Sequence, residues 1–197
     1  MQISFTKKIP ISTCNIYNKK TNEFERATLY EIDCKDSEDI DYLNNIQGRW
    51  EYRDAIAYFA DFKHIDSTDM NHEKIDLDLS GYKIYSLEKP DNYVACICET
   101  HPIENSQNIE IIESNPDEHY KYAGQTMLAS IVKRILPQGL DLEVLIPVAK
   151  SESFYSEACK FPRNNSAFGY CLPNKKMKDF IETVEKRTQG KIINIEV

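Results

Sequence analysis

The residues best placed to do chemistry lie between Ile109 and Ile135. A strand-like run, Ile109 to Glu113, gives way to the loop SNPDEHYKY, in which Asn115 and Pro116 favour a turn, and a helix begins near Ala123. The first amides of a helix have no partner inside it and stand at the positive end of its dipole, so together they form a site for an anion. Gly124 falls among them, where the absence of a side chain leaves room for a diphosphate. A lone glycine before a helix also serves simple turns.

Other reactive side chains are scattered around this segment. Glu110 and Glu113 lie on the strand that leads into the loop, and Glu99 ends the neighbouring run. His101 and His119 border the same region, His119 directly before the loop's last turn. Cysteines stand at 14, 34, 96, 98, 159 and 171 with no CxxC pair and no Cys/His cluster at zinc spacing, which reads as reduced thiols and no metal site. Cys96 and Cys98, two apart in one strand-like run, share a face and suit core packing. Walker, GxGxxG and GxSxG motifs are absent.

The elements that must position these groups follow from the apolar pattern. Gln2 to Phe5 and Phe24 to Asp33 read as strands, rich in β-branched and aromatic residues. Asp36 or Ser37 caps a helix carrying Ile40, Leu43 and Ile46 and ended by Gly48, and Trp50 to Phe62 reads as a second helix. A polar loop follows at Asp66 to Glu73. Tyr82 to Leu87 and Tyr93 to Cys98 form a hairpin through Glu88 to Asn92, and a longer loop around Pro102 leads to the strand Ile109 to Glu113. In the helix Ala123 to Ile135, Met127, Leu128, Ile131, Val132 and Ile135 make one apolar stripe.

Leu142 to Val148 is nearly all apolar, as expected of a central strand covered on both faces, with Pro147 breaking its ladder. Ser151 caps a short helix with Phe154, Tyr155 and Ala158, and Ala167 to Leu172 is strand-like. Asn174 caps a last helix with Met177, Phe180, Ile181 and Val184 on one face, Gly190 closes it, and Lys191 to Val197 extends. The order describes an α/β or α+β sheet with helices covering its faces.

A formal charge of -8 argues against broad binding to nucleic acid or an anionic membrane, because such affinity needs clustered Lys and Arg. The short basic runs Lys19-Lys20 and Lys175 to Lys178 read as a solvated turn and helix face. No apolar run reaches the length of a membrane span, and MQISFTKKIP lacks the apolar core of a signal peptide, so a cytoplasmic protein is expected.

The run Tyr120 to Leu128 resembles the GNAT acetyltransferase signature (Q/R)-x-x-G-x-(G/A) followed by paired aliphatic residues. Gly124 takes the second small position, and Met127 with Leu128 takes the aliphatic pair. Tyr122 stands where the first Gly is usual and His119 where Gln or Arg is usual. Downstream, Leu142 to Val148, Phe154-Tyr155, Phe161 and Ala167 to Leu172 match the family's order, with Phe161 one residue late and its Gly missing.

The resemblance covers Tyr82 to Leu172 and implies one domain over residues 1–197 with a mixed, mostly antiparallel sheet, a V-shaped splay and helices on both faces. Residues 1–75 would be an N-terminal elaboration on the acceptor side or at a homodimer contact, and residues 173–197 a C-terminal one.

The family's chemistry would then be acetyl transfer from acetyl-CoA to a primary amine of a small molecule or protein, without a metal. Ser114, Lys121, Tyr122, Ala123, Gly124, Gln125, Thr126 and Ser151 would hold the CoA, and a backbone N–H near Glu113 or Ser114 would polarise the thioester carbonyl. Tyr155 would protonate the departing sulfur, and Glu110 or Glu113 would take the amine's proton. The alternative is an inactive GNAT-fold module that binds CoA or a protein partner.

Overall fold

A computed structural model describes residues 8–32, 38–39, 42, 83–115, 119–145, 147, 149–164 and 169–196. The expected strand Gln2 to Phe5, the polar loop Asp66 to Glu73 and most of the two helices expected between Asp36 and Phe62 lie outside these residues.

The described strands form one sheet. β1 (Ile9–Asn18) and β2 (Glu23–Ile32) pair as a hairpin, β3 (Lys83–Glu88) pairs β2, and β4 (Val94–Ile103) pairs β3, all antiparallel. β5 (Ser106–Ser114) continues the meander against β4. β6 (Tyr120–Lys121) is a two-residue strand on the end of β1. Helix α1 (Ala123–Ile135) then crosses to β7 (Asp141–Val144), which lies parallel to β5.

A short 3₁₀ turn and a π-helical turn, Phe154–Ala158, precede β8 (Arg163–Asn164) and β9 (Gly169–Leu172). Helix α2 (Asn174–Arg187) leads to β10 (Ile193–Asn194), which returns to the far edge beside β1. The strand order is β10-β1-β2-β3-β4-β5-β7-β9-β8, the GNAT-like mixed and mostly antiparallel sheet expected.

Alternation explains which face is which. Cys96 and Cys98 on β4 share a face with Tyr85 and Leu87 on β3 and Ala27 and Leu29 on β2. That face packs against Met127, Leu128, Ile131 and Val132 of α1, the stripe read from the sequence. α2 adds Met177, Phe180, Ile181 and Val184 to the same core. The cysteines 14, 96, 98, 159 and 171 are all unbridged. Ile97 and Glu99 point to the opposite face.

Several local expectations are corrected. β1 occupies Ile9–Asn18, a run the sequence reading did not assign to a strand, with a register shift in its pairing to β2 between Pro10 and Ser12. The region of Pro102 is not a loop. β4 runs on to Ile103, past the end of its pairing with β3 at Thr100, so that beyond this point only β5 is beside it, and the turn is made at Glu104, φ 46°. The strand expected over Leu142 to Val148 stops at Val144, and its residues alternate between buried Leu142 and Val144 and half-buried Asp141 and Glu143.

Of the strand expected over Ala167 to Leu172 the described part is Gly169–Leu172, and the extension expected from Lys191 pairs as a strand over two residues, Ile193–Asn194. The cap of α2 also differs. The Asn174 side chain donates to Leu136 O and Leu140 O at 3.1 Å, tying down the end of α1, while the Asn174 backbone N–H is received by Asp141 Oδ1 at 2.7 Å. A carboxylate from β7 thus caps a helix 33 residues later, and such a partner cannot be read locally.

Gly169 shows how tightly β9 is set. A Cβ there would lie 2.0 Å from the carbonyl oxygen of Val144, on the last residue of β7. Gly169→Ala is expected to cost about 1–3 kcal/mol by forcing these backbones apart. A thermal melt checks it, and an unchanged midpoint would mean that β9 does not meet β7 at Val144.

Candidate active site

β5 and β7 pair only over Ser106–Asn108 and Asp141–Glu143. Past that point the Asn108 side chain stands in for the ladder, its Oδ1 accepting the Leu145 N–H at 3.3 Å, and Ile109–Ser114 runs on without β7 beside it. The opening is a cleft of about 270 Å³ lined by Glu110, Ile111, Ile112 and Glu113 of β5, Val144 and Leu145 of β7, and Pro147, Lys150, Ser151 and Tyr155. Four of the residues singled out from the sequence, Glu110, Glu113, Ser151 and Tyr155, therefore meet in one place. Ser151 ends a 3₁₀ turn rather than capping an α-helix.

Tyr155 rides on the π-turn, whose i→i+5 bond runs from Cys159 N to Phe154 O at 2.9 Å. Its ring stacks on Tyr170 at 5.7 Å and meets the Phe154 ring edge-on at 5.1 Å. Burial, then the nearby Cys98, Cys159 and Cys96, raise the hydroxyl well above the usual phenol range. The hydroxyl therefore stays protonated at neutral pH. The Ala158 carbonyl closing the turn accepts from Gln125 Nε2 of α1 at 2.5 Å and Arg187 Nη1 of α2 at 2.9 Å, so both helices fix the Tyr155 segment.

The N-terminus of α1 lies behind the cleft. Its first ladder bond is Thr126 N to Tyr122 O at 2.8 Å, which leaves the amides of Ala123, Gly124 and Gln125 ahead of the ladder. Tyr122 precedes the helix with φ 68°, the left-handed region a glycine would enter freely. The strain is held by neighbours: Lys19 N donates to His119 O at 2.8 Å, and Asn18 and Tyr17 pair with Tyr120 and Lys121. Tyr120 is clamped further, its hydroxyl 3.1 Å from Glu25 and its ring beside Tyr93 and under Lys89. Burial would raise the Glu25 carboxyl, but bonds from Asn18, Lys89 and Tyr120 outweigh it and hold the group below its usual range.

The expected cofactor set divides on this framework. Ser114 and Lys121 are exposed and Tyr122 half-buried, whereas Ala123, Gly124, Gln125 and Thr126 are buried. The Gln125 side chain is committed to Ala158, and Thr126 Oγ1 donates to Asn15 O. A Cβ on Gly124 would meet the Phe154 ring at 3.1 Å and Ser114 Oγ at 3.7 Å, so the glycine admits an aromatic ring from the π-turn. The sequence alone gave no reason to join Phe154 to Gly124, 30 residues apart.

Sequence reasoning gave too little weight to Glu99. Its side chain is 1% exposed, and among the described residues neither carboxyl oxygen has a hydrogen-bond partner. Register puts it between Ile84 on β3 and Ile111 on β5, the latter a cleft residue. Burial, reinforced by the charge of Glu110, pushes its pKa up from 4.5 to about 8. The pH window follows from the sign of this shift. Between these values the folded state keeps a proton that the unfolded chain has lost, so the stabilisation fades as pH rises through about 8. Glu99→Gln, which cannot ionise, is expected to gain on the wild type by on the order of 2 kcal/mol between pH 5 and pH 9. Paired denaturation curves measure this, and a constant difference would mean that Glu99 titrates as an ordinary carboxylate.

No family model matches the sequence, and no curated protein matches it. Solved structures do. The chain is similar to the AtaTR complex bound with AcCoA, at 14% identity over 77% of this chain and 96% of that one, with a TM-score of 0.51. It is also similar to a putative GNAT-family acetyltransferase from Desulfovibrio desulfuricans, at 15% identity over 75% and 99% of the two chains, TM-score 0.48. A third likeness is to the PaiA N-acetyltransferase from Thermoplasma acidophilum in complex with coenzyme A, at 14% identity over 74% and 96%, TM-score 0.44. At these identities the likeness is one of fold.

Proposed function

We propose that this chain, which has the GNAT fold, is an acetyl-CoA-dependent N-acetyltransferase that moves an acetyl group to a primary amine by direct attack on the thioester. The observation that carries the reading is the cleft where β5 parts from β7, with Tyr155 and the carboxylates Glu110 and Glu113 on its walls and the amides of α1 behind Ser114. AcCoA is present in the similar AtaTR structure, which supports the same donor here.

The donor supplies an acyl carbon activated by its thioester. The chain must do the rest: hold the donor's phosphates, leave the attacking nitrogen unprotonated, give a hydrogen bond to the charged carbonyl oxygen, and return a proton to the thiolate. Ser114, Lys121 and Tyr122 are the accessible members of the phosphate-holding set, with the backbone of Ala123, Gly124 and Gln125 as the positive end of α1. Tyr155, kept protonated by burial, gives the proton to sulfur. Glu110 and Glu113 flank the amine's approach. Its place of action would be the cytoplasm, with neither nucleic acid nor a membrane as partner, in keeping with the -8 charge.

A second reading has a specific observation behind it. The Phe154 ring fills the space at Gly124, and Tyr122 stands at the left-handed position, which suits a GNAT scaffold used for interaction alone.

Melting the protein with acetyl-CoA separates the two. A ligand at about 100 times its Kd stabilises the folded state by about 2.7 kcal/mol, so the transferase should melt later as acetyl-CoA is titrated. An unmoved midpoint at millimolar acetyl-CoA would overturn the reading. Tyr155→Phe keeps the aromatic packing and removes the donor. Thiol release should fall by about 10²-fold or more while the acetyl-CoA shift persists; parallel loss of both would make Tyr155 a packing residue only.

A further inference from the structure

Between α2 and the chain leaving the π-turn lies a second cavity, of about 160 Å³, which shares no residue with the cleft. Its floor is apolar. Cys159 and Leu172 stand on one side and Phe180 and Val184 of α2 on the other, all four buried. A cavity of about 150 Å³ with a lining of this kind has room for a benzene ring, so an occupant carries one ring or a chain of about six carbons.

Charge narrows the choice. Lys160, Lys176 and Arg187 stand around the floor with Asp179 as the acid among them, a positive patch on a chain of net charge -8. Among the described residues, neither lysine has a salt bridge. Each is also placed against a local preference. Lys160 has φ 57°, in the left-handed region that glycine enters freely. Lys176 lies in the first turn of α2, where the helix dipole disfavours a cation and the turn itself carries no acid.

Arg187 supplies the specific contact. Its Nη1 donates to Ala158 O at 2.9 Å, and among the described residues its guanidinium makes no other hydrogen bond or salt bridge. Further N–H donors of the fork are therefore left over. They lie close to the floor: burial pushes the Cys159 thiol up to about 12, and the Arg187 charge is near enough to work against it. A planar fork with spare donors beside an apolar floor suits a carboxylate that carries an apolar body. Inorganic phosphate lacks the body, and a neutral or cationic ring lacks the charge.

We propose that this cavity binds a small aromatic or short-chain monocarboxylate, its carboxylate on Arg187 and its apolar body against Phe180 and Val184, and that the bound anion braces the turn carrying Tyr155. The binding site goes beyond the acetyl-transfer reading and does not depend on it. The bracing follows from connectivity. Ala158 ends the π-turn, and the bonds from Cys159 N to Phe154 O and from Phe161 N to Tyr155 O, both 2.9 Å, hold it closed. An anion on the spare donors of Arg187 keeps the guanidinium beside Ala158 O and so stiffens this segment.

Isothermal titration calorimetry of the whole protein with benzoate, phenylacetate and hexanoate tests the site. Benzyl alcohol and benzylamine present a body without the negative charge, and inorganic phosphate presents the charge without a body. At least one carboxylate should bind one-to-one with a Kd at or below about 1 mM, about tenfold or more tighter than every control. Arg187→Gln should weaken that binding about tenfold or more. Since Arg187 also holds Ala158, the double change Lys160→Gln with Lys176→Gln, at two exposed positions, gives a second measure and should weaken binding about threefold. Hydrogen exchange at the Cys159 and Phe161 amides should slow when the carboxylate is bound.

Failure of all three carboxylates to bind, equal binding of benzyl alcohol, or undiminished binding in both variants would each overturn the site. Binding that leaves exchange at Cys159 and Phe161 unchanged would overturn the bracing.

Discussion

Everything at the centre of this molecule depends on a parallel strand pair that parts after three rungs. β5 and β7 share Ser106–Asn108 with Asp141–Glu143, and the Asn108 side chain then takes over the bond that the next peptide would have made. A sheet cannot simply end in its middle, since unpaired backbone groups there must be satisfied or solvated. The asparagine satisfies one, and the opened edge of β5 becomes the wall of a cleft. β9 locks the far side, its Gly169 so close to Val144 that no side chain fits between.

The helices are arranged to hold that opening. α1 starts at the level of Ser114 and is fixed at its head by an unusual device: the preceding residues, His119 to Lys121, are stitched onto the end of β1, and Tyr120 is clamped by Glu25, Tyr93 and Lys89. This stitching lets Tyr122 sit at φ 68°, a conformation that costs a non-glycine residue about 1 kcal/mol. α1 and α2 then grip one carbonyl, that of Ala158, from two directions. The π-turn that carries Tyr155 is thereby set by tertiary bonds rather than by its own sequence, and the ring of Phe154 is laid over Gly124.

Buried acids divide the sheet by role. Glu88 and Glu185 have their donors and act as ties between distant segments, whereas Glu99 has none among the described residues, and burial with the charge of Glu110 raises its pKa. A sheet of this size offers many places to bury a partnered carboxylate. Leaving one unpartnered beside the cleft concentrates titratable chemistry where the backbone has already opened.

Periodicity alone determined a good share of this architecture. The apolar stripe of α1, the amphipathic face of α2, the hairpin through Glu88 to Asn92, and the order of strands and helices from Tyr82 onward follow from spacings of two and of three to four residues, because those repeats dictate which side chains share a face. The helix start near Ala123 was also anticipated, and Glu110, Glu113, Ser151 and Tyr155, singled out through likeness to a known pattern, all line the cleft.

What only the tertiary structure decided has a common cause: each feature joins residues far apart in the chain. The strand end at Val144 is set where its pairing with β5 stops, the cap of α2 by Asp141, and the space at Gly124 by Phe154. Glu99 is the clearest case. In sequence it is one of 32 acidic residues, and nothing local distinguishes it. Among the described residues, the register places the apolar Ile84 and Ile111, from two other strands, beside it.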